Sequence, residues 1–452
     1  MPEIPEIIER FFGLRERNTT VSTEVIAGLT TFMTMSYVIF VQPAVLSMAG
    51  LDFGAVMTAT CIGAAIGSVL MGLLANLPVA QAPAMGHNFF YVFTVVGATA
   101  TGGYGFTWQA GLGAVFISGA LFTALSLFGM RDKVVQMMPP TLKFAISVGI
   151  GLFIAFIGMQ WGGVIVDNPA TLVSFGSFRE GPAAMVMIAV IVIAFFMALK
   201  VRGAILIGIA FAALWSLVAG YAQWHGFIGM PASLAPTFLQ LDIFGAISMK
   251  QVITVVFIFF ILDLFDTIGT LTAVCSGAGL MKDGKLPKAQ QALFSDGAAS
   301  VAGSLMGTTT VTSYIESSSG VAVGGRTGLT SVVVGALFIV SLFLYPLAQM
   351  IGGGYEVAEG RFLYPVIAPA LITVGSLMLP LAGKIEWRKP EEAIPAFLCI
   401  VIMPFAFSIT EGVSIGIISY SLLHTGIGGG PKTHPVIHIL ALLFMARYAF
   451  LG

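Results

Sequence analysis

Thirteen residues, Thr308 to Gly320, read Thr-Thr-Thr-Val-Thr-Ser-Tyr-Ile-Glu-Ser-Ser-Ser-Gly between long apolar runs. A stretch this polar, with a carboxylate at Glu316, cannot face lipid. It must line a cavity or be buried against protein. The conflict recurs upstream, where the apolar run Val252 to Leu262 leads directly into Asp263 and Asp266. A carboxylate at a helix centre costs about 2.5–3.5 kcal/mol on insertion scales, so three of them mark a substrate or ion pathway. A soluble fold is excluded by the rest of the chain: 57% of its 452 residues are hydrophobic and 9% charged, against about a quarter charged in a soluble protein. A net charge of −1 gives no reason to expect nucleic acid as a partner.

The apolar segments number about fourteen, at 22–48, 54–75, 79–97, 106–129, 138–161, 183–199, 203–223, 250–275, 290–306, 308–325, 327–351, 364–381, 391–408 and 411–425. The chain therefore reads as an all-α, multi-pass membrane protein in contact with the bilayer. With the N-terminus inside, fifteen Lys and Arg residues fall on the cytoplasmic side, Arg131, Lys133, Lys282 and Lys285 among them. Arg179, Lys250 and Arg361 fall outside. That bias orients the chain with both termini in the cytoplasm. Residues 1–20 form a cytoplasmic amphipathic segment, with Ile4, Ile7, Ile8, Phe11 and Phe12 opposite Glu3, Glu6, Glu9 and Arg10. They have no secretory h-region. Residues 436–451, within a tail spanning 427–452, are apolar again, and the sequence leaves open whether they form a membrane-surface helix. Cys61, Cys275 and Cys399 share no metal-ligand spacing, and His434 and His438 lack companion ligands, so no metal or cofactor is expected.

The halves of the chain resemble each other. Gly63-Ala-Ala-Ile-Gly-Ser-Val-Leu-Met-Gly72 is echoed by the stretch from Gly297 to Gly307, and Gly203 to Ile209 by Gly412 to Ile418. A repeat of seven spans is odd, so the second copy enters from the opposite side, an inverted repeat with its site where interrupted helices meet. The interrupted segments are the third and the tenth. Pro78 and Pro83 break one, and Thr308 to Thr312 has high β-propensity. Two short strands crossing near the midplane, each followed by a half-helix from about Met85 and Ser313, are expected; two kinked helices are the other reading. The half-helix N-termini suit a planar polar solute.

Glu316 is the foremost candidate, a carboxylate able to accept N–H bonds from a heterocycle edge. Asp263 and Asp266, three residues apart, share a helix face and form a pair able to hold a proton, or one of them serves structure alone. Asn88 offers a donor and an acceptor. Phe89 or Phe90 is available to stack on a flat ring or to face the core, His87 reads as a satisfied hydrogen-bonding residue, and Asp296 as a structural helix-end residue.

The stretches Phe12 to Tyr37, Val166 to Val173, Asp263-Leu-Phe-Asp-Thr-Ile-Gly-Thr-Leu271 and Thr310-Val-Thr-Ser-Tyr-Ile-Glu316 resemble the nucleobase–ascorbate transporter superfamily, in its AzgA-like adenine/guanine/hypoxanthine permease branch. The resemblance runs nearly the whole length. It implies fourteen segments in two inverted repeats of seven, with short β-strands in segments 3 and 10. A core domain (21–130 and 246–352) would face a gate domain (131–245 and 353–426). The implied activity is import of a purine base by proton symport through elevator-like alternating access in the inner cell membrane, often as a homodimer. The branch's site residues fall on Asp266, Glu316 and Asn88. With them we take Phe89, Thr312 and Ser313 as substrate-binding, and Asp263, Asp266 and Glu316 as proton-coupling. Segment 3 departs from the usual Ala-Pro-Gly-Met-Gly-Leu-Asn-Ala-Phe at Ala84, His87 and Phe89, which puts the choice of substrate in question. The rival readings are a carrier of the same fold for another polar solute or an anion, a channel, and a membrane-embedded enzyme. The last lacks any nucleophile–base constellation.

Overall fold

The computed structural model of the protein describes residues 4–128, 138–179, 181–281, 286–358, 361–426 and 434–450. Arg131, Lys133, Lys282 and Lys285 lie outside the described residues, as do the first gate-domain residues and positions 427–433 of the tail. Helices dominate. Among the described residues six stretches are long and apolar enough to cross a membrane: Val21–Ser47, Phe53–Ala75, Trp108–Leu127, Pro140–Trp161, Val252–Gly277 and Gly328–Gly352. Shorter apolar helices include Ala183–Ala198 and Ala204–Ala219. The N-terminal helix, Ile4–Phe12, exposes Ile7 and Phe11 on its apolar side.

Among the described residues six strands pair in three two-stranded sheets. In chain order they are β1 (Gln81–Pro83), β2 (Ile165–Asn168), β3 (Leu172–Phe175), β4 (Val311–Ser313), β5 (Tyr355–Ala358) and β6 (Arg361–Leu363). The hairpins β2–β3 and β5–β6 lie after the Pro140–Trp161 and Tyr345–Gly352 helices, and Arg361 reaches Asp167 across them at 3.4 Å. The pair β1–β4 is of another kind. It joins segments 3 and 10 antiparallel, in the register Gln81↔Ser313, Ala82↔Thr312 and Pro83↔Val311. Both strands are wholly buried. The two short strands expected from the prolines and the threonine run are therefore present. The first half-helix begins at Met85 as expected. The second begins at Ser317 rather than near Ser313, because Ser313 still belongs to β4 and Tyr314 to Glu316 make the turn.

One helix contact is close enough to predict its sensitivity. A Cβ added at Gly328 would stand 2.0 Å from the Gly72 carbonyl oxygen, whereas one added at Gly269 meets nothing within 4 Å. Overpacking of this kind costs about 1–3 kcal/mol. Gly328→Ala is expected to lower the melting temperature of the purified protein and Gly269→Ala to leave it unchanged, as read by thermal unfolding in detergent.

Candidate substrate site

The β1–β4 crossing is too short to satisfy its own backbone, and buried backbone groups must be paired. Two serines close the gap. Ser68 Oγ accepts from the Gln81 N–H at 2.9 Å and donates to the Gln81 carbonyl at 3.1 Å. Ser300 Oγ does the same for Val311, at 3.0 and 2.9 Å. Each serine lies in one of the two echoing Gly-Ala-rich stretches, so the sequence likeness is matched by a shared structural task.

Two buried side-chain clusters fix the crossing. In one, Asp296 accepts from Gln81 Nε2 (2.8 Å) and Ser313 Oγ (3.1 Å) on one oxygen and from Thr267 Oγ1 (2.7 Å) on the other. Thr267 also meets Thr312 Oγ1 at 2.7 Å. The Thr267 proton is spent on the carboxylate, so Thr312 is the donor of that contact. Asp296 lies inside the Ala289–Met306 helix and is fully buried. It is the hub of the crossing and not a helix-end residue. In the other cluster, Gln42 Nε2 donates to Asn88 Oδ1 and to Thr308 Oγ1, both at 3.0 Å, while Asn88 donates back to Gln42 and Thr309 donates to Asn88. Segments 1, 3 and 10 are thereby tied together.

The open face is elsewhere. Asp266 is exposed although it stands in the middle of the Val252–Gly277 helix. From it toward the helix C-terminus, Gly269, Thr272, Ala273, Ser276 and Gly277 are exposed as well, at the three- and four-residue spacing of one helix face. The half-helix Ser317–Ala322 packs against this helix and exposes Ile315, Ser318 and Ala322. Glu316, partly exposed, stands at its start and accepts from Tyr37 Oη at 3.0 Å. Tyr37 occupies the break between the Val21–Met35 and Val38–Ser47 helices. Two carboxylates thus stand on an open face of small and polar residues shared by these two helices.

The structure divides the sequence candidates. Asp266 and Glu316 reach the open face. Asn88, Thr312 and Ser313 are buried behind it and spend their polar atoms on the crossing. Phe89 is fully buried, with the rings of Phe93, Phe153 and Trp161 centred 6.2, 6.4 and 6.0 Å away. Phe407 extends the cluster to Phe93 and Phe153 at 4.9 and 5.1 Å. Phe89 therefore packs among protein rings in this conformation instead of offering a free face for stacking. Phe90 is likewise buried, 4.8 Å from Phe259. His87 lies beneath Phe259 at 6.3 Å, and its Nε2 finds no partner among the described residues. Sequence reasoning missed Gln42, Gln81 and Tyr37, whose only signal was a polar group inside an apolar or interrupted segment. It also missed Glu24, fully buried, which accepts from the Arg326 and Thr327 N–H groups at 2.8 and 3.2 Å and so caps the Gly328–Ser341 helix.

The open face, the crossed strands and the two carboxylates can be compared with known proteins. A family model described as the Permease family, that of the nucleobase–ascorbate transporters, matches residues 22–415. This chain belongs to that family. Within it, the adenine permease AdeP of Escherichia coli is 43% identical over 98% of this chain and 96% of its own length. The guanine/hypoxanthine permease PbuG of Bacillus subtilis is 42% identical over 98% of this chain and 100% of its own. Among solved structures, the transmembrane domain of the cyanobacterial bicarbonate transporter BicA superposes with a TM-score of 0.63 at 17% identity, covering 88% of this chain and 97% of that domain. That likeness speaks for the fold alone. A nucleobase–ascorbate family permease is a multi-pass membrane transporter and not an enzyme.

Proposed function

We propose that the protein imports a purine nucleobase (adenine, guanine or hypoxanthine) by proton symport across the cell membrane, the core (21–130 and 246–352) moving like an elevator against the gate (131–245 and 353–426). The observation that carries this reading is the pair Asp266 and Glu316 on one open face, in a chain whose relatives are named adenine and guanine/hypoxanthine permeases. Purine edges present N–H donors, and two carboxylates are acceptors when ionised. Glu316 holds the N–H edge, Tyr37 orients Glu316, and Asp266 binds the base or takes the coupled proton. Asn88, Thr312 and Ser313 position the half-helices from behind. The same pair disfavours an anion, which both carboxylates would repel.

A proton as the coupling ion is supported by Asp263. Its side chain is only 1% exposed, and neither oxygen accepts from a donor among the described residues. Asp296 and Thr312 stand beside it. An ionised carboxyl without a donor in such a place costs several kcal/mol. A proton shared between Asp263 and Asp296 removes that cost and leaves the core less charged when it moves; one uncompensated charge costs about 2.3 kcal/mol per 100 mV. The matched serine clamps on β1 and β4 favour two inverted repeats of seven segments. The excess of Lys and Arg on one side of the spans favours an N-terminus in the cytoplasm. A homodimer completes the reading.

The test is uptake of labelled adenine, guanine, hypoxanthine, xanthine and uracil into proteoliposomes, with and without an imposed pH gradient. Accumulation of one purine, driven by the inward proton gradient and insensitive to sodium, is expected. Accumulation driven by sodium alone would remove the proton from the mechanism. Failure of folded protein to transport any base would remove the substrate class.

A further inference from the structure

The last helix, Pro435–Phe450, packs against Ile409–Gly426. Two contacts fix how they lie. Ser421 Oγ is 2.8 Å from His438 Nδ1. Arg447 Nη2 donates to Glu411 Oε1 at 2.5 Å, and Tyr448 donates to the other oxygen of Glu411. As one residue number falls from 421 to 411 the other rises from 438 to 447, so the helices are antiparallel and in register along nearly their full lengths. At 1.5 Å per residue a helix of this size spans about 24 Å.

A helix lying on a membrane surface needs a polar face turned toward water. This one has none to give. From Val436 to Ala449 its polar side chains are His438, Arg447 and Tyr448, and all three are engaged with the neighbouring helix. Ile437, Leu440, Ala441 and Phe444 are buried, while Ile439, Leu442 and Leu443 are each more than half exposed. The helix is apolar on its outer side as well as its inner side, the pattern of a segment between protein and lipid.

The ends can be assigned to faces. His424, near the end of Ile409–Gly426, meets Glu392 at 3.2 Å. Glu392 opens the Pro390–Phe405 helix, immediately after Lys384, Arg388 and Lys389. That end belongs to the basic, cytoplasmic face, so the Glu411 end belongs to the opposite one. Consistently, the Arg447 guanidinium lies 5.5 Å from the ring of Tyr104, in the connection between segments 3 and 4. On the basic face, Arg17 instead donates to the carbonyls of Asn76 and Arg326, both at 2.7 Å.

From this geometry we infer that Pro435–Phe450 is a further membrane-crossing segment, which carries the chain from the cytoplasmic to the outer face and anchors there through Arg447 and Tyr448. The open question of a surface helix is answered by a transmembrane one, and its Phe450 end lies at the outer face where a cytoplasmic C-terminus was expected. The orientation rests on the positive-inside reading; the crossing rests on the helix register alone.

The experiment is a pair of fusions after Gly452 of the full chain, one to alkaline phosphatase, which is active only when exported, and one to green fluorescent protein, which fluoresces in this setting only in the cytoplasm. The same pair inserted after Lys200 reports the orientation of the rest of the chain. A phosphatase-positive, non-fluorescent fusion at Gly452 with the reverse at Lys200 is expected. Fluorescence at both positions, with no phosphatase activity, overturns the crossing. Phosphatase activity at Lys200 with fluorescence at Gly452 keeps the crossing and overturns the orientation.

Discussion

Glu316→Gln is expected to reduce purine uptake by about 10- to 150-fold while the protein remains folded. Replacing a carboxylate acceptor by an amide removes a charged hydrogen bond worth about 1.5–3 kcal/mol and sets an N–H₂ group toward ligand donors. The stability of the fold has little stake in the change. Glu316 is only partly buried and makes no side-chain cap on its half-helix, and its Tyr37 partner can donate to the amide oxygen as it does to the carboxylate. Asp266→Asn shares the expectation, since Asp266 is exposed on the same face. Uptake at saturating and sub-saturating base, together with a melting curve, separates lost recognition from lost folding. Full uptake by Glu316→Gln would remove this residue from the site.

Asp296→Ala is expected to act in the opposite manner, by unfolding the core. The substitution removes the carboxylate acceptor shared by Gln81 Nε2, Ser313 Oγ and Thr267 Oγ1, all buried, and leaves Asp263 without the carboxylate beside it. A buried donor that loses its acceptor costs about 1–3 kcal/mol, and three of them weakened at once take a large share of the roughly 5–15 kcal/mol that holds a domain together. The yield of monodisperse protein and its melting temperature should both fall steeply. Asp296→Asn, which keeps the shape and one acceptor, should recover part of the loss. A melting temperature unchanged by Asp296→Ala would mean that the crossing is held by its serine clamps and not by this hub.

The contrast explains which parts of the molecule were legible in the sequence. Membrane spans follow from hydropathy, which is additive along the chain, and the strands at Gln81–Pro83 and Val311–Ser313 followed from prolines and threonines acting locally. Asp266 and Glu316 stood out because a carboxylate in an apolar run has few tolerable explanations. The roles of Asn88, Thr312 and Ser313 were harder to read. Whether a polar side chain faces solvent or serves a buried network depends on partners 17 to 232 residues away, such as Gln42, Gln81 and Asp296. Phe89 carried the same ambiguity, since its ring partners come from segments 3 and 5. The course of the last helix was hidden for a related reason. Its few polar residues look like the rim of a surface helix until Ser421 and Glu411 are seen to consume them.

The account rests on a purine being held between Glu316 and Asp266, and equilibrium binding tests that most directly. Adenine, guanine and hypoxanthine would be titrated by calorimetry into the purified wild-type protein, Glu316→Gln and Asp266→Asn, each shown to melt at the wild-type temperature. The expected result is saturable binding of at least one purine to the wild type and a loss of at least tenfold in affinity in both variants. Binding of equal strength in all three proteins would place the base elsewhere and contradict the account.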